Sequence, residues 1–199
     1  MLKFCLYRSR FLIAPLAAVL QFAVPPSGSV AAVNQPFLPL LDMTVARLHI
    51  ARQVALSKWD SHKPVEDLPR EADVIRAASE EARALGLPAE LAMRFFADQI
   101  EANKLVQYGL IAQWHRAGRA PDDKRVDLTT DVRPKLDRLQ QGIIQALVDT
   151  KSLRAQPDCN TQLARATQEY IASHALDPLY AMAMDRALAR VCLDHFPSM

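Results

Sequence analysis

The stretch RLHIARQVALSKWDSHKPVEDLPRE, residues 47–71, predicts two helices joined by a short turn. Arg47 and Lys58 lie eleven residues apart in the first helix. That separation is almost three turns at 3.6 residues per turn, so both cations project from one face, which is otherwise apolar. A cation on a core-facing surface is costly unless an anion meets it. No acid on this face is placed to meet both cations, so their partner is either acids from other helices or an anionic ligand.

Apolar residues recur at helical spacing along the rest of the chain and predict six helices and no strand. Asp67 is a favourable N-cap for helix two, and Thr129, Thr130 or Asp131 for helix four. With no linker to divide it, the chain is predicted to form a single all-α domain of six helices. The predicted helices span about 39–59, 67–85, 88–118, 129–157, 158–174 and 177–196.

Residues 1–32 are typical of a secretory signal peptide. Three cations and no acid occur in the first ten residues, a short apolar run follows, and small residues precede an expected cleavage near Ala32. The apolar run is shorter than the roughly 20 residues that span a membrane. We therefore expect a mature domain of residues 33–199 that works in the periplasm or outside the cell.

Removal of that leader would change the charge balance of the protein. The whole chain holds 24 Lys and Arg against 22 Asp and Glu, and three of the cations lie in the leader, which leaves 21 against 22 and a net charge of about −1. This balance favours neither a nucleic acid nor a membrane surface as a partner.

Two cysteines, Cys159 and Cys192, remain after removal of the leader. An even pair in an oxidising compartment is typical of a disulfide. Two buried thiols are the alternative interpretation.

The sequence carries none of the familiar signatures of metal or nucleophilic chemistry. The five histidines form no i,i+4 pair and no His-Glu-x-x-His pattern, so no metal site is predicted. There is also no Gly-x-Ser-x-Gly elbow and no glycine-rich phosphate loop. Any chemistry is therefore expected to depend on cations and amides.

Helix three and helix four supply further polar candidates. Gln99, Asn103 and Gln107 follow one another at i, i+4 and i+8, which puts three amides on one face of helix three. They could line a ligand site, or form an interhelical network or a solvated polar face. Arg133 follows the expected cap of helix four, where it could turn inward or remain a surface arginine.

The order of these residues resembles the active-site series of the all-helical chorismate mutases. The series is Arg47, Lys58, Asp67-x-x-Arg70-Glu71, Asn103 and Gln107. The motifs Phe-Phe-Ala-Asp-Gln-Ile at 95–100, Asp-Leu at 127–128 before Arg133, and Leu-Asp-Pro-Leu-Tyr at 176–180 are similar to the secreted class. The signal peptide and the two cysteines fit that class as well. The resemblance covers about residues 37–196.

The resemblance implies an enzyme that rearranges chorismate to prephenate in one pericyclic step without a cofactor. Lys58 and Gln107 would donate to the ether oxygen, and Arg47 and Arg133 would hold the carboxylates, with Lys58 also reaching one. The substrate hydroxyl would be flanked by Asp67, Arg70 and Glu71, and Asn103 would contact a carboxylate. In the secreted class a residue matching Arg133 comes from the same chain, so each chain would hold a complete site. A homodimer is left open.

Three departures from the family pattern occur at the expected site. The loop before Arg133 is one residue longer than the family spacing, Asn103 stands where small hydroxyl residues are common, and Gln107 stands where some relatives have Glu. The main alternative function is a non-enzymatic periplasmic helical protein that binds carboxylates or acts as a chaperone. A regulatory relative that senses an aromatic metabolite is a third interpretation.

Overall fold

The computed structural model describes residues 36–192, and these residues form helices and no strand. Six long helices confirm the predicted all-α architecture, and one short helix was not predicted. The helices are α1 Leu38–Ser61, α2 Leu68–Ala84, α3 Ala89–Ala117, α4 Arg133–Asp149, α5 Lys151–Arg154, α6 Cys159–Ser173 and α7 Pro178–Leu188. A π-helical turn, Leu128–Val132, precedes α4. The predicted signal peptide lies outside the described residues, and the last helix ends at Leu188, before the predicted end near residue 196.

The long helix α3 is the centre of the described domain. It packs against α1, α2 and α7, and α1 also packs against α4. Phe95 and Phe96 are fully buried in α3, and Trp114 packs edge-on against Trp59 of α1. Burial of these apolar faces is the main term that stabilises such a bundle. None of the helices in the described part of the chain has the length and apolar character needed to cross a membrane.

The predicted core face of α1 is confirmed by the structure. Leu40, Leu41, Leu48, Ala51 and Ala55 are fully buried. Because Arg47 and Lys58 share this side of the helix, the packing that buries the apolar residues also directs both cations toward the interior. The fold therefore fixes the direction of two charged side chains.

The start of α4 differs from the prediction. No side chain caps α4 itself; the cap is Asp127 at the start of the preceding π-helical turn, whose Oδ1 accepts hydrogen bonds from the backbone N–H groups of Thr129 and Thr130 at 2.7 and 2.8 Å. A carboxylate that satisfies two N–H groups at the start of a helix is a better cap than the predicted Thr129, Thr130 or Asp131. The Asp131 carboxylate instead accepts from the backbone N–H of Asp127 at 3.0 Å.

Predicted helix four is divided at Thr150 into two helices, so that α4 ends earlier than expected. The Thr150 hydroxyl donates to the Ala146 carbonyl at 2.6 Å, and the chain restarts as α5. At the end of α5 the buried Arg154 guanidinium donates to the Leu147 and Val191 carbonyls. Burial lowers the pKa of Arg154. The apolar periodicity continues across this break, which is why the sequence predicted one helix.

The predicted disulfide between Cys159 and Cys192 is present, with the two Cα atoms 5.9 Å apart. It joins the first residue of α6 to the segment that follows α7, across 33 residues of sequence. Neither cysteine is among the residues that line the cavity formed by the predicted site residues. The bond therefore acts on the stability of the second layer of helices.

Replacing both Cys159 and Cys192 with alanine is expected to lower the free energy of unfolding by about 3–4 kcal/mol, because the unfolded chain loses its constraint. Urea unfolding of the oxidised wild type and the double variant measures this difference. Adding a thiol reductant should destabilise the wild type toward the variant and leave the variant unchanged. Equal urea midpoints for the two oxidised proteins would contradict the prediction.

Candidate active site

A cavity of about 190 Å³ lies among α1, α2, α3, the π-helical turn and the start of α4. All eight polar residues that the sequence singled out by resemblance line it. They are Arg47, Lys58, Asp67, Arg70, Glu71, Asn103, Gln107 and Arg133. The structure thus brings together side chains that are up to 86 residues apart in sequence.

The charge of the cavity lining is positive. Five cations and three carboxylates line it, which leaves a formal charge of +2. The cations are Arg47, Lys58, Arg70, Lys104 and Arg133, and the carboxylates are Asp67, Glu71 and Asp137. Apolar side chains such as Val54, Val74 and Ile100 make up much of the remaining wall. No group of three His, Cys, Asp or Glu side chains suited to a metal ion occurs within residues 36–192.

Arg47 is the most strongly perturbed of these cations. Its side chain is 5% exposed, and its Nε atom is buried without a hydrogen-bond acceptor among the described residues. Burial, followed by repulsion from Arg70, lowers the pKa of Arg47 to about 10, while Asp137 acts in the opposite direction. The guanidinium carbon lies 5.8 Å from the centre of the Phe96 ring. A buried, underpaired guanidinium that faces a cavity is suited to binding an anion.

The carboxylates at the start of α2 are already engaged by the protein. Asp67 caps the helix by accepting from the Arg70 N–H at 3.3 Å, and Glu71 accepts from the Asp67 N–H at 3.1 Å. Lys104 donates to the second oxygen of Glu71 at 3.2 Å. Burial alone would lower the pKa of Lys104, but hydrogen bonds to Glu101 and Glu71 outweigh it and raise the pKa. These contacts hold α2 in a fixed position beside α3.

The three amides of α3 divide into two groups. Gln99 is buried away from the cavity, where it donates to the Thr44 hydroxyl and the Ala187 carbonyl at 3.4 and 3.3 Å. It belongs to the interhelical network that the sequence left as an alternative. Asn103 and Gln107 instead line the cavity and bond to each other, with Gln107 Nε2 donating to Asn103 Oδ1 at 2.8 Å.

Arg133 reaches the cavity through the π-helical turn that precedes it. Leu128 and Val132 of this turn also line the cavity, and Val132 is buried. Arg133 itself is exposed. A π-helical turn has i→i+5 hydrogen bonds and so takes in about one more residue than an α-helical turn. An additional residue in the preceding loop, which the family resemblance implies, would be taken up by such a turn without moving Arg133 away from the cavity.

Three further polar residues of the cavity, Lys104, Asp137 and Gln140, were not predicted from the sequence. Asp137 and Gln140 lie four and seven residues after Arg133, so the helical period of α4 could have found them. Gln140 donates to Glu81 at 3.1 Å and thereby joins α4 to α2. Lys104 could not be found in this way, because Glu71, its partner at the cavity, lies 33 residues away in sequence.

The state of Arg47 predicts a trade between stability and function. The pKa of Arg47 is depressed in the folded state, so the charged side chain opposes folding at any pH below that pKa. Replacing Arg47 with methionine should therefore raise the free energy of unfolding of the ligand-free protein by about 1–3 kcal/mol. The same change should abolish any function that requires an anion in the cavity.

Thermal and urea unfolding of both proteins without ligand measures the effect. Arg94 offers a matched control, because it is exposed on α3 and its ion pair within residues 36–192 is with Glu90, across one helical turn. Arg94→Met should change stability by no more than about 0.5 kcal/mol. A loss of stability in Arg47→Met would show that Arg47 already has an adequate partner.

Comparison with known proteins gives concordant findings from sequence and fold. The family described as chorismate mutase type II matches residues 38–108. The secreted chorismate mutase of Mycobacterium tuberculosis is 29% identical over 181 residues, which cover 91% of this chain and 86% of that protein.

Two solved structures resemble the fold closely. The crystal structure of a chorismate mutase from Burkholderia phymatum is 45% identical, with a TM-score of 0.78, over 80% of this chain and 98% of that one. The crystal structure of a chorismate mutase from Burkholderia thailandensis is 38% identical, with a TM-score of 0.75, over 79% of this chain and 99% of that one.

Proposed function

Because this chain belongs to the secreted, all-helical chorismate mutases, we propose that it rearranges chorismate to prephenate in the cavity around Arg47 and Lys58. The reaction breaks a C–O ether bond while a C–C bond forms, within one molecule. No proton is transferred and no electron acceptor is needed. The enzyme therefore needs neither a nucleophile nor a cofactor, and its task is to select a conformer and stabilise developing charge.

The single observation that carries the proposal is the charge pattern of the cavity. Chorismate has two carboxylates, and the lining has a formal charge of +2 together with a buried guanidinium that lacks an acceptor among the described residues. A dianion would satisfy Arg47 and neutralise the cavity. The apolar wall would face the ring of the substrate and exclude water, which strengthens each electrostatic contact.

Four of the polar residues have proposed roles at the ether oxygen and the carboxylates of the substrate. Lys58 and Gln107 donate to the ether oxygen, where negative charge increases as the C–O bond breaks. Arg47 and Arg133 hold the two carboxylates, so that the two reacting carbons are kept in van der Waals contact. Lys58 is a fixed electrostatic donor and takes no proton from the substrate.

A second group of residues acts at the hydroxyl end of the substrate. Asp67, Arg70 and Glu71 flank the hydroxyl group, and Lys104 keeps the Glu71 carboxylate in place through their 3.2 Å contact. All of these groups come from one chain. Each chain is therefore proposed to hold a complete site.

The protein is proposed to work in the periplasm or outside the cell. Residues 1–32 would serve as the signal peptide, and residues 33–199 would form the exported domain. The relative from Mycobacterium tuberculosis is described as secreted, and the disulfide between Cys159 and Cys192 favours an oxidising compartment.

An absorbance assay on the purified, oxidised protein tests the proposal. Chorismate should lose its diene absorbance in proportion to enzyme concentration, and proton NMR should detect a single isomeric product. Arg133→Ala should lower the rate and raise KM, because one carboxylate loses its partner. Saturable binding of chorismate without any conversion would contradict the proposal and favour a carboxylate-binding protein instead.

A further inference from the structure

The strongest feature that the mechanism leaves unused is a chain of hydrogen bonds from α1 to Gln107. Asn103 Nδ2 donates to the backbone carbonyl of Arg47 at 3.1 Å, and Asn103 Oδ1 accepts from Gln107 Nε2 at 2.8 Å. Both amides, Asn103 and Gln107, line the cavity. Asn103 thus uses one N–H donor and its amide oxygen within the protein.

The Arg47 carbonyl determines the direction of both amides. A carbonyl oxygen can only accept, so Asn103 must present its NH₂ group to it, and its oxygen then faces Gln107. Gln107 must therefore donate to that oxygen from its own NH₂ group. Turning either amide over would place two oxygens against each other. The Arg47 carbonyl oxygen therefore fixes the orientation of the Gln107 amide, which would be free to turn in an isolated glutamine.

This arrangement occupies one N–H of Gln107 and leaves the second N–H without an acceptor among the described residues. The Gln107 oxygen is buried and also lacks a partner in the described part of the chain. The side chain is buried, so bulk water does not freely reorient it. The ordering of a donor before the substrate arrives is what electrostatic preorganisation requires.

We propose that Asn103 is a positioning residue that holds the Gln107 amide with its NH₂ group directed for catalysis, rather than a residue that binds a substrate carboxylate. The proposal rests on the proposed function and deepens it. It differs from the role that the family resemblance implies for Asn103. It also explains why Gln107 suits this chain, because position 107 needs two protons when position 103 presents an acceptor.

A glutamic acid at position 107 would have only one proton to offer. Asn103 Oδ1 and the ether oxygen of the substrate would compete for it, even at acidic pH. Removing the Asn103 side chain should therefore have opposite effects in the two backgrounds. It should harm the enzyme that retains Gln107, whose amide becomes free to turn. It should help the Gln107→Glu enzyme, in which the single proton loses its competing acceptor.

The test compares the wild type, Asn103→Ala, Gln107→Glu and the double variant by kcat and KM from pH 4.5 to 8. Alanine favours the helix, so the variants should fold, which circular dichroism verifies. With Gln107 present, Asn103→Ala should lower kcat about tenfold and change KM by less than about twofold. In the Gln107→Glu background, the same change should raise kcat at pH 5 severalfold. Gln113, an exposed amide of α3, supplies the control Gln113→Ala, which should match the wild type.

Two results would overturn the positioning role while leaving the proposed function intact. One is a rise in KM with an unchanged kcat in Asn103→Ala, which indicates a carboxylate contact. The other is the same fold-loss from Asn103→Ala in both backgrounds, which indicates no coupling between positions 103 and 107. A wild type that does not convert chorismate would overturn the proposed function, and this inference with it.

Discussion

Replacing Lys58 with alanine is expected to lower kcat/KM for chorismate by about 10³-fold, with the fold retained. Lys58 lies on the core-facing side of α1 and lines the cavity, and it forms no ion pair or hydrogen bond with the described residues. Its removal should therefore break little in the folded protein. The transition state, by contrast, would lose the cationic donor at the ether oxygen.

The loss should appear mainly in kcat, because the ether oxygen carries more negative charge in the transition state than in bound chorismate. Initial-rate absorbance assays at saturating chorismate measure kcat, and circular dichroism and thermal unfolding test whether the fold is retained. Lys151 provides a matched control, since it is exposed at the start of the short helix α5 and lies away from the cavity lining. Lys151→Ala should retain wild-type kcat/KM. Wild-type kcat/KM in Lys58→Ala would show that this cavity is not the catalytic site.

The sequence predicted the parts of the site that depend on helical period. Arg47 and Lys58 could be placed on one face because their separation is nearly a whole number of turns, and Asn103 and Gln107 could be paired because they are four residues apart. The helical period predicts which face of its own helix a residue occupies. Only the assembled helices show that these two faces enclose one cavity, which the family resemblance had implied and spacing alone had not.

The features that escaped the sequence depend on competition between alternative hydrogen bonds. Asp127 competes with three neighbouring caps for the start of the π-helical turn that leads into α4, and it alone accepts two N–H groups of that turn, at 2.7 and 2.8 Å. The buried Arg154 guanidinium donates hydrogen bonds to a backbone carbonyl and not to an acidic side chain, so no charge pattern in the sequence predicts its burial. The direction of the Gln107 amide depends on a carbonyl 60 residues away in sequence, which no local pattern encodes.

Gln107→Glu is expected to lower kcat at pH 7.5 by about 10²-fold and to make the activity depend on pH. The wild type should vary little between pH 5 and 8, because a neutral amide donates over that whole range. A glutamate carboxylate cannot donate, and its charge opposes the negative charge on the ether oxygen. A proton must therefore bind before the variant can catalyse the reaction.

Activity of the variant should rise as pH falls through the pKa of the introduced acid, roughly 4–6 because burial raises that pKa and the cavity cations lower it. The activity should be about tenfold higher at pH 5 than at pH 7.5, and still below that of the wild type, since Asn103 competes for the single proton. Gln113→Glu makes the same chemical change on the exposed side of α3 and should keep the flat profile. A Gln107→Glu enzyme with a flat profile would exclude Gln107 as the ether-oxygen donor, whatever its loss of rate. An acid-dependent profile confined to that variant would mean that the proton on residue 107 contributes to the rate, which is the distinction between a catalytic donor and an amide that only fills the cavity wall.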